Sequence, residues 1–385
     1  MLETILFYVA LFTALLSAAV WTSMFTGVIY IRRLRDIEPP DEFAWPKVSV
    51  IIPARNEERE IEEALQSVLR LDYPDYEVLV INDRSTDRTP EILSRMHERY
   101  PQLSSATVEE LPRGWLGKNH ALHFGAATAQ GELLLFTDAD IVFQPDVLRR
   151  AVFYLEREQI DHLAMTPDVR MPNGLLASFV VVFTMLFTIF TKPWRVRNPK
   201  SPAHIGIGAF NLIRTSSYRA MGGHGPIALR PDDDLKLGKL VKKNGFTQDV
   251  VNASGFLLVR WYASLAELIR GLEKNAFSGV DYSIVMTVYS SILMLIVNVW
   301  PFVAIWFTRG PTQWLNGLVI AMHFTSYLCT AWEMGVRWWT VFFYPIDFLM
   351  FVYIQWRTML LNHWMGGIRW RDTLYPLAEL KANRV

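Results

Sequence analysis

Two acidic clusters in this chain are of a kind that does chemistry. The first is "DAD" (Asp138, Ala139, Asp140), which follows the apolar run "LLLF". An extended backbone sends residues 138 and 140 to the same side, so two carboxylates converge at a strand end. Such a pair suits Mg2+ or Mn2+, which keeps positions open for water and substrate phosphates. The second is "LRPDDDLKLG", residues 229–238, with three consecutive aspartates behind a proline. Like charges this close repel. The triplet reads as a solvated turn, a metal site, or a catalytic base with helpers. Asp83 closes another apolar run and reads as a ligand contact or as a turn residue. Asp87 opens "DRTPEIL" and divides between helix N-cap and ligand contact, with Pro90 in the first turn.

The elements that must carry these groups are legible around them. "VSVIIP", residues 48–53, is nearly continuous in apolar and β-branched residues, as in a strand buried on both faces. Apolar Ile61, Ala64, Leu65, Val68 and Leu69 follow at helical spacing. "YEVLVIND" is a second buried strand ending at Asp83, and "GELLLFTDAD" a third. Strands alternating with helices predict parallel βαβ units in a doubly wound α/β sheet. Ligands bind such sheets beyond the carboxyl ends of the strands, where these acidic and polar residues fall.

The 385 residues carry 38 basic and 38 acidic side chains. That balance excludes nucleic acid as a partner by its electrostatic footprint. A single cysteine, Cys329, excludes a disulfide framework and a multi-thiol metal site. Residues 4–31 are uncharged over a length that spans a bilayer, and Arg32, Arg33 and Arg35 follow directly. The run is too long for a signal-peptide core, so it reads as a retained anchor with the downstream chain in the cytosol. Runs 282–308 and 310–332 are uncharged, and 338–361 is interrupted only by Asp347 and Arg357. Ten of the 14 tryptophans lie beyond residue 260, as membrane interfaces favour. The expected plan is an anchor and linker (1–45), a cytosolic catalytic domain (46–275), and a C-terminal membrane bundle with a basic tail (276–385). No protein partner is expected.

"VSVIIPARNEE", "VLVINDRSTDRT", "GKNHALHFGAATAQGELLLFTDAD", "GIGAFNLIRTSSYRAMGG" and "DDDLKLG" occur in the order and spacing of the family 2 glycosyltransferases. Over residues 46–250 the chain resembles that family, whose fold is GT-A, a Rossmann-like, mostly parallel sheet. With its flanking apolar segments it looks like the membrane-bound branch, similar to ceramide glucosyltransferases and bacterial enzymes linked with hopanoid or carotenoid glycosylation. The resemblance implies roles. Pro53, Ala54, Arg55 and Glu57 border the nucleotide, Asp83 meets the base, and Lys118 approaches the donor phosphates. Asp138 contacts the donor's ribose or sugar, and Asp140 binds Mn2+ or Mg2+ on the diphosphate. The family's base is the Asp of a Glu-Asp-x-x-Leu pattern. Two registers fit: Asp233-Asp234 with Leu237, and Asp232-Asp233, which puts Leu235 one place too early; the first is favoured and makes Asp234 the base, Asp233 its neighbour and Asp232 a helix-terminal or solvated residue.

Gly206 and Gly208, in "GIGAFNLIR", are similar to residues lining the acceptor pocket. They read equally as turn glycines. His204 and His224 flank that stretch and are set aside as structural. Processive relatives carry a Gln/Arg-x-x-Arg-Trp motif after the base. Here "ELIRGLEKNAF" holds Arg270 and Lys274, neighbours on one helix face, without the tryptophan. These two could grip phosphates or lipid head groups, and the missing tryptophan favours transfer of one sugar. The implied activity is inverting, metal-dependent transfer from a nucleotide-diphosphate sugar, UDP being commonest, to a lipid hydroxyl at the cytosolic face of a bacterial inner membrane. A polyprenyl-phosphate sugar transferase or polysaccharide synthase component is the alternative, and an inert membrane adaptor a third reading. Gly174–Thr191 lies between Asp140 and Asp234, so it crosses an even number of times or not at all, and it is expected to lie in the interface. Three later crossings would put the tail outside, yet its basic character favours the cytosol.

Overall fold

The structure is a computed structural model, and it describes every residue except 274, 371, 372 and 385. The chain folds as two compact units. One, the sheet unit, comprises residues 30–169, 192–260 and 382–385; the other, the helical unit, comprises 1–29, 170–191 and 261–381.

The sheet unit is built on eight strands: β1 (Arg32–Arg33), β2 (Val48–Ala54), β3 (Tyr76–Asp83), β4 (Leu103–Val108), β5 (Leu133–Phe136), β6 (His162–Thr166), β7 (Asn211–Arg214) and β8 (Gln248–Asn252). Their order is β1-β8-β6-β7-β5-β2-β3-β4. All neighbours run parallel except β7, which is antiparallel to both β5 and β6. Alternation along each strand explains the continuous apolar runs. Val48, Val50 and Ile52 join one core with Leu133 and Leu135, while Ile51 joins another with Leu134 and Phe136. The first core takes in Ile61, Leu65 and Val68 of helix Ile61–Val68, and the second takes in Leu237, Leu240 and Val241 of helix Asp233–Lys243. Helices therefore cover both faces, which is what strands without a polar face require.

One expectation is corrected here. Strand β5 ends at Phe136, so Asp138 and Asp140 do not share a strand face; both lie in the turn before strand Ile141–Phe143. The ladder stops because Thr137 Oγ1 donates to Ala209 O (2.8 Å) and Asp138 N–H donates to Gly208 O (3.0 Å). These bonds tie the turn to the segment entering β7.

A buried polar network fixes that segment. His162 Nε2 and Asn211 Oδ1 lie 3.1 Å apart, and His162 Nδ1 and Gln248 Nε2 3.3 Å apart. A neutral ring donating to Asn211 and accepting from Gln248 satisfies both. Gln248 also accepts from Ile205 N–H (2.9 Å) and donates to Gly238 O (2.9 Å), and Asn211 accepts from Ile207 N–H (3.1 Å). Burial lowers the His162 pKa from 6.5 to about 4. A depressed folded pKa contributes stability above the unfolded value, lost as pH falls from about 6.5 toward 4. For this fully buried ring the loss is about 3 kcal/mol. We expect the melting temperature of the detergent-solubilised chain to drop over that window, and His162→Gln to flatten the drop. Parallel curves for the two proteins would assign the acid sensitivity elsewhere.

The helical unit contains the long helices Leu2–Val28, Gly174–Thr191, Gly310–Glu333 and Tyr344–Trp364. Among the described residues, Leu2–Val28, Gly174–Arg195 and Ile284–Ala304 are long and apolar enough to cross a membrane. Large aromatic side chains stand exposed along the later part, including Trp306, Trp314, Trp332 and Trp364. The two charges that interrupt the run 338–361 are both partnered within this unit. Asp347 accepts from Ser178 Oγ, and Arg357 Nε pairs with Glu273 at 2.6 Å. The two units divide at 260/261, and Leu268 and Leu272 of helix Leu265–Glu273 pack with Leu176, Phe179 and Ile354.

Candidate active site

The parallel strands β2, β3 and β5 end at one edge of the sheet. Strand β7 runs the other way, with Asn211 opposite Phe136, so its entry loop arrives at that same edge. This brings "GIG" against "DAD".

Pro53 and Ala54 close β2, and the Ala54 methyl turns into the core, leaving its backbone at the edge. Beyond them Asn56 (φ 57°) and Arg84 (φ 55°) both adopt left-handed backbone, and the two loops are laced together. Ser85 Oγ accepts from Asn56 N–H (3.0 Å), Asn56 Oδ1 from Thr86 N–H (2.8 Å), and Thr89 Oγ1 from Glu57 N–H (2.9 Å). Asp87 accepts from Glu58 N–H (3.0 Å) and Thr89 N–H (3.0 Å), which gives it a tying role. Asp83 is buried, held by the fork of Arg84 at 2.7 and 3.2 Å and by Arg55 at 3.5 Å. Gly117 packs on it so closely that an added Cβ would strike the Asp83 carboxylate.

Gly117 begins helix Gly117–Thr128, and the next residue, Lys118, reaches across the edge. Its ammonium lies 2.8 Å from Asp138 Oδ1 and 3.4 Å from Asp233 Oδ2. Burial works to lower its pKa, but the carboxylates of Asp138, Asp233 and Asp234 outweigh that and raise it, so it stays charged. Asp234 Oδ2 accepts from Gly208 N–H (2.9 Å) and Oδ1 from Leu235 N–H (2.7 Å). Its pKa is raised, by burial first, with Lys118 opposing and Asp138 and Asp232 adding to the rise. Lys118, Asp138, Gly208, Asn211, Asp233 and Asp234 line one cavity.

Within the acidic triplet the contacts separate. Asp233 faces Lys118 and Asp234 faces Gly208. Asp232 stands at the N-cap position without capping; instead it grips Arg230 at 3.0 and 3.1 Å and lies 3.5 Å from Lys236. Arg230 is only 2% exposed, so Asp232 neutralises a buried cation, not a solvated turn. The glycines act by close approach. A Cβ on Gly206 would collide with the Asp234 carbonyl, one on Gly238 with the Ile205 carbonyl, and one on Gly208 with the Asp138 carboxylate.

Asp140 is set apart in the turn. Its Oδ1 is buried with no hydrogen-bond partner, and its pKa is raised to about 7, by burial first and then by Asp138, Glu57 and Glu60. An unpartnered buried carboxylate oxygen beside further acids is the environment a divalent cation relieves. No group of three or more His, Cys, Asp or Glu that could hold a metal ion occurs among the described residues. A Mg2+ or Mn2+ site completed by substrate phosphates needs only one or two carboxylates. The residues present fit such an ion.

Arg270 is exposed on helix Leu265–Glu273 in the helical unit, and Lys274 lies outside the described residues. His204 Nδ1 donates to Pro202 O (3.0 Å). His224 is buried, with Tyr218 OH 2.7 Å from Nδ1 and Phe136 edge-on, and burial lowers its pKa to about 3. A residue that sequence reading passed over is Asn119. Fully buried beside Lys118, it donates from Nδ2 to the carbonyls of Ile227 (2.8 Å), Ala228 (3.2 Å) and Arg230 (2.9 Å). Its only sequence signal was its place in "GKN".

Residues 49–222 match the model of "Glycosyl transferase family 2". A 4,4'-diaponeurosporenoate glycosyltransferase of Staphylococcus haemolyticus is 25% identical over 74% of this chain and 75% of its own length. The protein of that name from Staphylococcus aureus is 21% identical over 95% of this chain and 98% of its own. Among solved structures, a mannosyltransferase from Pyrobaculum calidifontis, in complex with GDP-Man and Mn2+, superposes with a TM-score of 0.56 and 18% identity, covering 93% of this chain and 99% of the other. The sheet unit thus has the GT-A fold and carries a glycosyl transferase family 2 domain, and the chain is a glycosyltransferase.

Proposed function

We propose that this enzyme transfers a single sugar from a nucleotide-diphosphate sugar, with UDP as the expected nucleotide, to a hydroxyl of an apolar, carotenoid-like lipid. The observation that carries the reading is Asp234, half-buried and held by Gly208 N–H beside the Lys118–Asp138 pair. The acceptor hydroxyl attacks the anomeric carbon as Asp234 takes its proton. The bond to the nucleoside diphosphate breaks in the same displacement, and the anomeric configuration inverts. Lys118 lies where its charge opposes the negative charge developing on the leaving group. Asp140 would hold the divalent ion, which supplies further charge for the diphosphate. Relatives named for a carotenoid-type acceptor and a neighbour solved with GDP-Man and Mn2+ support acceptor class, donor class and metal.

The helical unit supports catalysis at the cytosolic face of a bacterial inner membrane. Strands β6 and β7 pair in one sheet, and Gly174–Thr191 lies between them in the chain. A helix of that length that crossed once would separate the two strands. Despite its apolarity it therefore lies in the interface, where it can guide a lipid.

The test is mass spectrometry of lipids from cells with and without the protein. A new hexosylated lipid that vanishes in Asp234→Asn is expected. A phosphate-linked product that persists in Asp234→Asn would favour a polyprenyl-phosphate acceptor, because a phosphate oxygen needs little base assistance. Calorimetric titration with UDP should show binding strengthened by Mn2+. In Asp140→Asn that strengthening should shrink by about tenfold or more. Equal affinity with and without Mn2+ in the wild type would remove the metal from the scheme.

A further inference from the structure

The segment delivering Asp234 is irregular backbone, a single 3-10 turn at Gly225–Ile227 followed by Ala228–Pro231. From one direction Asn119 holds it by three carbonyls, and Leu116 N–H adds a bond to Ala228 O (2.8 Å). Two further polar backbone groups are taken by a residue distant in sequence. Asn383 Oδ1 accepts from Leu229 N–H (3.1 Å) and its Nδ2 donates to Pro226 O (3.0 Å). One side-chain amide thereby replaces the two backbone partners that a sheet or helix would have supplied. Arg230, whose carbonyl Asn119 holds, has its side chain clamped to Asp232, the residue before the base helix.

We propose that Asn383 is a positioning residue for the base: with Asn119 it clamps the 226–230 segment from which helix Asp233–Lys243 presents Asp233 and Asp234. Neither asparagine touches the cavity that Asp234 lines, so the effect passes through the backbone. A base displaced by a fraction of its hydrogen-bond reach loses rate without losing donor contacts. Residues 382–384 thereby belong to the sheet unit, so the chain between 261 and 381 leaves and rejoins it.

The kinetic part rests on the glycosyl-transfer reading; the structural part does not, and the experiment separates them. Hydrogen–deuterium exchange and transfer kinetics are measured on the full-length chain in detergent, for wild type, Asn383→Ala and Asn383→Asp. We expect Asn383→Ala to accelerate exchange over 226–235, above all at Leu229, and to lower kcat by about tenfold or more with donor KM within twofold. Asn383→Asp keeps the acceptor for Leu229 N–H and loses the donor to Pro226, so it should recover part of both. Unchanged exchange in Asn383→Ala would overturn the clamp. Accelerated exchange with unchanged kcat, or a fall in KM-dependent binding alone, would overturn its role in positioning the base. If the wild type transfers no sugar while exchange still accelerates, the clamp stands and the glycosyl-transfer reading fails.

Discussion

Asp234→Asn is expected to reduce sugar transfer by about 10²- to 10⁴-fold, the range that a positioned general base supplies, while leaving donor affinity nearly unchanged. The amide keeps the shape and, through its one oxygen, can still accept from Gly208 N–H or from Leu235 N–H, though not from both. It cannot take a proton. In the wild type the rate should rise with pH through a midpoint above the ordinary carboxylate value, because burial raises the Asp234 pKa more than Lys118 lowers it. Measuring kcat across pH for wild type and variant decides the assignment. A variant that keeps its activity, or one whose acidic limb is unmoved, would hand the role to Asp233. The parallel change Asp233→Asn gives the contrast. It removes a partner of Lys118, so its main effect should fall on donor binding.

Gly238→Ala and Gly206→Ala should be the most disruptive single changes away from the acidic residues. Each added methyl meets a backbone carbonyl, that of Ile205 or of Asp234, and neither can rotate aside as a side chain would. Separating the 205–208 segment from the base helix is the only relief. That strains Gln248, which joins Ile205 N–H to Gly238 O. We expect a loss of about 3 kcal/mol in stability. Any folded protein should also show a rate loss of about 10²-fold from the displaced base. Thermal melts and kinetics of the detergent-solubilised variants provide the check. Wild-type melting and activity in both variants would mean that these contacts are looser than their geometry. Gly208→Ala meets the Asp138 carboxylate instead, whose side chain can shift, so its cost should be smaller and centred on donor binding.

The sheet and its acidic rim were readable because strands buried on both faces must be apolar throughout. Such runs then stop abruptly at polar residues where the chain leaves the core. Tyr76–Asp83 was bounded to the residue for that reason. The "DAD" pair misled in detail. Alternation along a strand is a local rule, and it could not foresee that Thr137 and Asp138 would bond to the segment entering an antiparallel neighbour. Arg230, Asn119 and Asn383 were silent for a related cause. A buried arginine or asparagine looks like any surface one until its partner is known, and each partner here is a backbone carbonyl, a carboxylate or an amide set by the fold.

From its sequence alone this chain declared a parallel α/β sheet with acidic strand ends, an apolar anchor, and an aspartate register leading to Leu237, because periodicity and local charge report burial directly. Tertiary structure decided which neighbour each aspartate meets. Three adjacent carboxylates are equivalent in sequence, and only the neighbours differ: Arg230 for Asp232, Lys118 for Asp233, and the Gly208 amide for Asp234. Lys118 and Gly208 come from distant segments, and the reversed strand β7 brings Gly208 to the edge, so local spacing could not distinguish Asp233 from Asp234.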